Sequence, residues 1–258
     1  MPQHFIRHLT GKHRTRKSDM QLGVILAFVA GAINAGGFLA VGYYTSHMSG
    51  IASSIADFLI RHQYGAMVAA VGFLGSFLLG AMTSCIIINI ARAHEPSSEF
   101  ALALMLEAAL LLIFGISATP EVGIIILSPG VTVALLCFIM GLQNAFITKI
   151  SHAEIRTTHV TGIITDMGIE IGRWVYSHCG GEARFHAERL HLHMSLLAAF
   201  ITGAVVGAFC FQHFGFITVW PLACVLGMLA SVPILDDFWP KKYPDSDSHR
   251  DIQKSKKA

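Results

Sequence analysis

Charged residues are scarce in this chain. Asp, Glu, Lys and Arg make up 13% of its 258 residues, whereas 53% of the residues are hydrophobic. Soluble domains carry about 25% charged residues, and the mean hydropathy of this chain is +0.59. The composition argues against a soluble domain and predicts an integral membrane protein, with the lipid bilayer as its surroundings and no nucleic acid as a partner.

Sequence signatures of several enzyme classes are also absent. The chain has no Walker A motif, no GxSxG elbow and no dinucleotide-binding fingerprint. An ATP-driven pump is therefore not expected, and no catalytic residue is assigned. The five cysteines form no CxxC pair, so we predict packing residues rather than a disulfide framework. No cofactor and no metal site are predicted.

Long apolar runs predict an all-α fold. A helix needs about 20 apolar residues to cross the hydrocarbon core of a bilayer. Two segments, 48–60 and 160–176, are shorter and more polar. An eight-span arrangement in which both cross the membrane stays open, but six spans are preferred because they keep the basic connections on one side. We predict a polytopic bundle in which the two short segments are re-entrant half-helices or short polar helices buried among their neighbours. The six long spans are predicted at residues 22–44, 65–91, 99–118, 128–148, 193–213 and 216–235.

The distribution of basic residues sets the predicted orientation. With six spans, most lysines and arginines of the connections fall on one side, which the positive-inside rule assigns to the cytoplasm. The basic segment 1–20 is cytoplasmic and precedes a first span that is too long for a signal peptide. The membrane domain comprises residues 21–236, and the polar tail 237–258 is predicted to be disordered and cytoplasmic.

Two stretches of the chain repeat each other. Residues 31–35 (GAINA) recur as residues 141–145 (GLQNA), and residues 46–51 (SHMSGI) recur as residues 158–163 (THVTGI). The two asparagines are 110 positions apart and the two histidines 112. Internal duplication of this kind is typical of transporter and channel folds.

The duplication also predicts a topology. Repeat one covers about residues 21–118 and repeat two about residues 128–236. An odd number of spans in each repeat makes the second copy enter the membrane from the opposite side, which gives two inverted-topology repeats. The two short segments would then approach each other near the midplane of the membrane.

The second copy of the repeat carries a family resemblance. GLQNA at residues 141–145, followed by IRTTHVTG at residues 155–162, resembles the YoaK family, the DUF1275 group of bacterial membrane proteins. The looser first copy at residues 31–57 and the acidic residue Glu107 fit the same pattern. The resemblance covers about residues 20–236. It implies a polytopic helical fold in the bacterial inner membrane, and no established activity.

Polar residues of the two copies are candidates for a solute site. Ser and Thr before the short helices are N-cap types, and a helix start carries about half a positive charge on its unpaired N–H groups. Two such starts facing each other suit an anion or a polar neutral solute. Alternatively, these residues only cap and pack the helices. The candidates are Asn34, His47, Ser49, Gly50, Asn144, Thr158, His159, Thr161 and Gly162.

The paired amides and imidazoles each have two interpretations. Asn34 and Asn144 lie inside apolar helices and must face the protein interior, where they line the site or bond the backbone of the neighbouring short segment. His47 and His159 relay a proton or form a hydrogen bond at a helix start. A metal site built on the two histidines lacks an obvious third ligand.

Two acidic residues are candidates for proton or ion coupling. Glu107 is the only charged residue of segment 100–118, and an acidic residue within a membrane segment is a functional candidate by default. It either carries a proton or locks two helices together by one hydrogen bond. Asp166 caps its helix, binds a cation, or pairs with Arg156 or Arg173.

Three functions remain open from the sequence. The first is a transporter or channel for a small polar or anionic solute, whose site lies between the two repeat motifs and whose coupling is to protons or cations. Three spans per repeat are few for a complete pathway, so a homodimer is expected. The second is a membrane-embedded enzyme acting on a lipophilic substrate, and the third is a structural or regulatory subunit of a membrane complex.

Overall fold

A computed structural model describes residues 15–93, 100–117 and 128–238. Within these ranges the chain forms eight α-helices, a short 3₁₀ turn and no strand. The predictions for residues 1–14 and for the tail beyond residue 238 lie outside the described residues. The helices are α1 (Arg16–Val41), α2 (Met48–Ile60), α3 (Tyr64–Ala93), α4 (Ala101–Ser117), α5 (Pro129–Ile150), α6 (Val160–His178), α7 (Ala187–Phe214) and α8 (Val219–Phe238), with the 3₁₀ turn at Gly215–Thr218.

The first long helix begins six residues before the predicted span. The hydroxyl of Thr15 accepts a hydrogen bond from the backbone N–H of Ser18 at 3.2 Å, which caps the start of α1. The helix ends at Gly42, whose φ of 76° is the left-handed conformation that stops a helix. Local capping, which hydropathy does not register, therefore sets both ends of α1.

Four stretches of the described chain are long and apolar enough to cross a membrane. They are Arg16–Leu39, Tyr64–Ala93, Pro129–Ile150 and Ala187–Leu235, and the last contains both α7 and α8. Two further helices, Met48–Ile60 and Ala101–Ser117, are apolar but shorter. The protein is thus an all-helical protein of the membrane type.

The helices pack as three principal pairs. α1 packs along α7, α3 along α5, and α4 along α8, while α2 lies on α3 and α6 lies on α7. Buried aliphatic and aromatic side chains of the long helices form one main core. The short helices α2 and α6 lie against this core with most of their residues partly or fully exposed.

Glycines allow the two closest helix crossings. A Cβ atom added at Gly31 would overlap the carbonyl oxygen of Phe200, and one at Gly203 would overlap that of Phe28, so α1 and α7 touch backbone to backbone. Helices in lipid associate through such small residues because no hydrophobic force drives them together. The second crossing, between α3 and α5, has the same reciprocal form and uses Gly80, Gly141, Phe77 and Phe138.

Polar contacts define one end of the bundle, which we call the basic end. Arg16 at the start of α1 donates to Glu188 at the start of α7 at 2.7 Å. Near the ends of α3 and α5, Nζ of Lys149 donates to Oδ1 of Asn89 at 2.6 Å. α1 and α7 therefore begin at the basic end, whereas α3 and α5 finish there.

The two short helices point to opposite ends of the bundle. α2 ends at Ile60, just before α3 begins at Tyr64. Because α3 finishes at the basic end, α2 points to the opposite end of the bundle. α6 ends at His178, before α7 begins at the basic end. Both helices start at mid-height, because their first residues share a cavity with Phe77 and Phe200, which lie near the middle of α3 and α7.

Alanine substitutions on α3 test the crossing. Gly80→Ala places a methyl group against the Phe138 carbonyl, and we expect a loss of about 1–3 kcal/mol of stability from overpacking. The matched control is Gly75→Ala, whose Cβ meets nothing within 4 Å and which gains up to about 1 kcal/mol in helix propensity. Thermal unfolding in detergent measures both. Equal midpoints for the two variants would contradict the crossing.

Candidate functional site

The starts of α2 and α6 open onto one cavity of about 600 Å³, which we call the central cavity. Its walls come from both copies of the duplicated motif and from the middles of α3 and α7. Five pairs of lining residues occupy matching places in the two halves. These pairs are Ser46 with Thr158, His47 with His159, Met48 with Val160, Ser49 with Thr161, and Phe77 with Phe200.

Seven of the nine candidate site residues line this cavity, namely Asn34, His47, Ser49, Thr158, His159, Thr161 and Gly162. Gly50 and Asn144 are not in its wall. Asn144 is 7% exposed and lies behind Thr158, to which it is hydrogen-bonded. It therefore supports the wall of the cavity without reaching its interior.

The asparagines hold the chain that leads into each short helix. Oδ1 of Asn34 accepts from the backbone N–H of Ser46 at 3.1 Å and from its hydroxyl at 2.9 Å. Oδ1 of Asn144 accepts from the hydroxyl of Thr158 at 2.7 Å, and its Nδ2 donates to the Met140 carbonyl at 2.7 Å. Asn34 thus bonds the backbone of the segment before α2, as one of the two sequence interpretations predicted, whereas Asn144 holds the segment before α6 only through the Thr158 hydroxyl.

The predicted role of Ser and Thr as N-caps is wrong. The N-cap positions belong to His47 and His159, and neither side chain caps its helix. The hydroxyls of Ser46 and Thr158 donate to the asparagines instead of accepting from the helix. Because no side chain caps them, the backbone N–H groups in the first turns of α2 and α6 have no side-chain acceptor in the described residues.

The two motif glycines differ in their surroundings. A Cβ atom at Gly50 would overlap the ring of His47, so that ring covers the backbone at the start of α2. A Cβ atom at Gly162 would meet nothing within 4 Å, and Gly162 lies in the cavity wall. A ligand can therefore come close to the backbone at the start of α6, as expected, whereas at the start of α2 the imidazole blocks it.

Glu107 lies away from the central cavity. It is fully buried on α4, and the amide of Gln143 on α5 is its polar neighbour. Neither carboxyl oxygen reaches a partner at full hydrogen-bonding geometry within the described residues. A charge left unpaired at such depth is very costly.

Asp166 of α6 does not form either of the predicted ion pairs, and Glu170 of the same helix forms contacts that the sequence did not predict. Asp166 faces His193 at 3.8 Å and pairs with neither Arg156 nor Arg173. Glu170 is 3% exposed. Its carboxylate accepts a hydrogen bond from Nη1 of Arg173 at 2.7 Å and another from the backbone N–H of His186 at 3.0 Å. The His186 hydrogen bond, together with the Arg173 charge, holds the pKa of Glu170 below its ordinary value against the opposing effect of burial.

Metal-ligating side chains do not assemble in the part of the chain that the structure describes. No group of three or more His, Cys, Asp and Glu residues there has the geometry to hold a metal ion. The five cysteines are all free thiols. The chemistry of the central cavity is therefore that of hydroxyls, imidazoles, one amide and helix starts.

Sequence reasoning missed the aromatic wall of the central cavity. Phe77 and Phe200 lie 123 positions apart, each within the pattern Phe-x-x-Gly-Ala (residues 77–81 and 200–204). The related patterns FVAGA and FIMGL stand at residues 28–32 and 138–142. All four are the crossing elements described above, so a search for this shorter repeat would have located both the crossings and the wall.

These features define a helical protein of the membrane type with a cavity between two copies of one motif, whose polar side chains stand in its wall. The family described as "Protein of unknown function (DUF1275)" matches the chain over residues 22–232, and the chain belongs to that family. The predicted resemblance is thereby confirmed. Neither the curated proteins nor the solved structures contain a significant match to the chain.

Removing one hydroxyl tests the support behind the cavity wall. Thr158→Val leaves Oδ1 of Asn144 buried without its 2.7 Å partner, and we expect a loss of about 1–3 kcal/mol of stability. The control is Thr165→Val, because that hydroxyl is exposed and bonds only the Thr161 carbonyl of its own helix. Thermal unfolding in detergent compares them. A larger effect at Thr165 would contradict this role of Asn144.

Proposed function

We propose that this protein is a small transporter or channel of the bacterial inner membrane for a small polar or anionic solute. The observation that carries the proposal is the central cavity of about 600 Å³, which the two copies of the motif line from opposite sides. A duplicated motif around a polar cavity at mid-height is the arrangement of solute sites in transporters built from repeats.

The contacts between helices support six spans in two inverted repeats. The reciprocal glycine contacts of α1 with α7 recur between α5 and α3. The contact residues of α5 lie 110 positions after their counterparts in α1, and those of α3 lie 123 positions before their counterparts in α7. The pairing of α2 with α3 recurs as that of α6 with α7. The two short helices start together and run to opposite ends, as half-helices of inverted repeats do.

The lining favours a solute with hydrogen-bond acceptors. Ser49 and Thr161 offer hydroxyls, His47 and His159 offer imidazoles, and the uncapped helix starts offer backbone N–H groups. No Asp, Glu, Lys or Arg side chain lines this cavity. A small anion is stabilised by helix starts without a fixed counter-charge, and a polar neutral solute uses the same donors.

The orientation follows from the basic end. Arg16, Arg92 and Lys149 mark the ends of helices there, and the loop before α7 carries Arg184. The positive-inside rule places such an end in the cytoplasm. We accordingly propose that both termini are cytoplasmic and that α6 leads from the central cavity toward the cytoplasm.

A substitution that fills the cavity tests the transport function. Gly162→Leu adds a side chain to the cavity wall at a position where a Cβ atom meets nothing within 4 Å, so we expect the fold to be preserved while the cavity loses volume. In proteoliposomes, wild-type protein is screened for uptake of labelled phosphate, sulfate, acetate, urea and glycerol. For any solute taken up, we expect Gly162→Leu to lower the rate at least about tenfold, equivalent to about 1.4 kcal/mol.

The matched control for this experiment lies on the same helix. Gly168→Leu also adds a side chain where nothing lies within 4 Å, but Gly168 is outside the wall of the central cavity. Its uptake rate should equal that of the wild type, and both variants should keep the wild-type unfolding temperature. Equal uptake by Gly162→Leu and Gly168→Leu would rule out the central cavity as the pathway.

Glu107→Gln separates proton coupling from a purely structural role. Glutamine has the shape of the neutral acid and retains a polar contact with Gln143, so the variant should fold. If Glu107 carries the coupled proton, uptake driven by a pH gradient is lost, whereas exchange of the solute at equal pH on both sides continues. Asp166→Asn is measured alongside. Gradient-driven uptake that persists in both variants would contradict coupling through these acids.

A further inference from the structure

A second cavity, of about 1070 Å³, opens at the basic end between α6, α7 and the segments that precede these helices. Of the residues that line it, the transport and coupling proposed above use only Asp166. Its floor is formed by Asp166, Ile169 and Glu170 of α6 and by Leu192 and His193 of α7. Its rim is formed by exposed polar residues, including His152, Arg184 and Arg189.

This cavity reaches close to the central cavity. Both share α6 as a wall, because Gly162 lines the central cavity and Asp166 lines the second one. Four residues of helix separate them, which is about 6 Å at 1.5 Å per residue. On α7 the separation between Phe200 and His193 is seven residues, or about 10 Å.

The contact between Asp166 and His193 stands at this boundary. Oδ2 of Asp166 lies 3.8 Å from Nε2 of His193, and the Asp166 side chain is 57% exposed. A carboxylate at this level that faced lipid would be strongly disfavoured. The second cavity opens beside Asp166 and has room for the water that an exposed carboxylate requires.

Arginines and carboxylates line the second cavity in equal number, namely Arg16, Arg173, Arg184 and Arg189 with Glu154, Asp166, Glu170 and Glu188. Arg16 is paired with Glu154 and Glu188, and Arg173 is paired with Glu170. By contrast, Arg184 and Arg189 have no ion pair within the described residues. These two unpaired guanidinium groups attract anions, because a charged group at a cleft raises the local concentration of oppositely charged ions.

We propose that the second cavity is a water-filled vestibule through which anionic solutes reach the central cavity from the basic end, and that Arg184 and Arg189 concentrate these anions. The proposal rests on the proposed function and names its solute class and its route of access. It applies to small carboxylates and to inorganic oxyanions alike, since both respond to the same rim charge.

Cysteine labelling tests the vestibule without any transport assay. The five native cysteines are replaced by alanine, and single cysteines are introduced as Ile169→Cys in the vestibule floor or Val205→Cys on the exposed face of α7. Val205 is 64% exposed but lines neither cavity. The probes are anionic sulfonatoethyl and cationic trimethylammonioethyl methanethiosulfonate, applied to protein in lipid nanodiscs.

We expect the cysteine at position 169 to react with the anionic probe at least about tenfold faster than the one at position 205, since only a thiol in contact with water ionises and reacts. Arg184→Glu with Arg189→Glu should reverse the preference for the anionic over the cationic probe. That preference should shrink about threefold or more between 10 mM and 500 mM salt, because salt screens the rim charge.

Each outcome decides the proposal. Labelling at position 169 that is no faster than at position 205 overturns the vestibule, and Asp166→Cys repeats the test should Ile169→Cys not fold. A preference that the double charge reversal leaves unchanged overturns the role of the rim. Fast labelling in a protein that takes up no solute upholds the vestibule and counts against transport. Solute uptake by a protein whose cysteine at position 169 does not react upholds transport and overturns the vestibule.

Discussion

Backbone contact at four glycines determines where every other element lies. In lipid, apolar helices gain little from associating through large side chains, because lipid tails are equally apolar, and close packing depends on small residues. Here the glycine of one helix faces the Phe carbonyl of its partner, and the partner's glycine returns the contact. The four contacts pin α1 to α7 and α3 to α5 at mid-height.

The polar site follows from these crossings. Asn34 and Asn144 each stand three residues beyond a crossing glycine, so both amides fall at the level where the helix pairs are most tightly fixed. Each amide oxygen then accepts from the segment that turns back into the bundle. That hydrogen bond satisfies a buried polar group and sets the position from which α2 or α6 starts. The cavity is the space left between the two starts.

The sequence predicted much of this arrangement because its signals are local or repeated. The duplicated motifs predicted that the two histidine-containing turns are equivalent, and the structure places both in one cavity. Sequence reasoning assigned the wrong partner to Ser46 and Thr158, because their acceptors lie 12 and 14 residues away along the chain. A cap is a local pattern, whereas the position of Asn34 or Asn144 beside a returning loop depends on the tertiary path. The pairing of Asp166 with His193 depends likewise on how α6 packs on α7.

Departures from twofold equivalence are concentrated on one side of the central cavity. α6 has 19 residues where α2 has 13, the start of α6 is open at Gly162 where His47 covers Gly50, and only α6 carries a nearly buried acid joined to the next helix. Two identical halves would give the solute equal access from both ends. In the transporter proposed above, a frame held by equivalent crossings, with unequal short helices, would give the two ends different access to the central cavity. In repeat-built transporters, alternating access arises when the two halves exchange such unequal states around a fixed site. If the proposed transport function holds, we expect the contact of Glu170 with Arg173 and His186 to hold α6 against the start of α7 in the arrangement seen here.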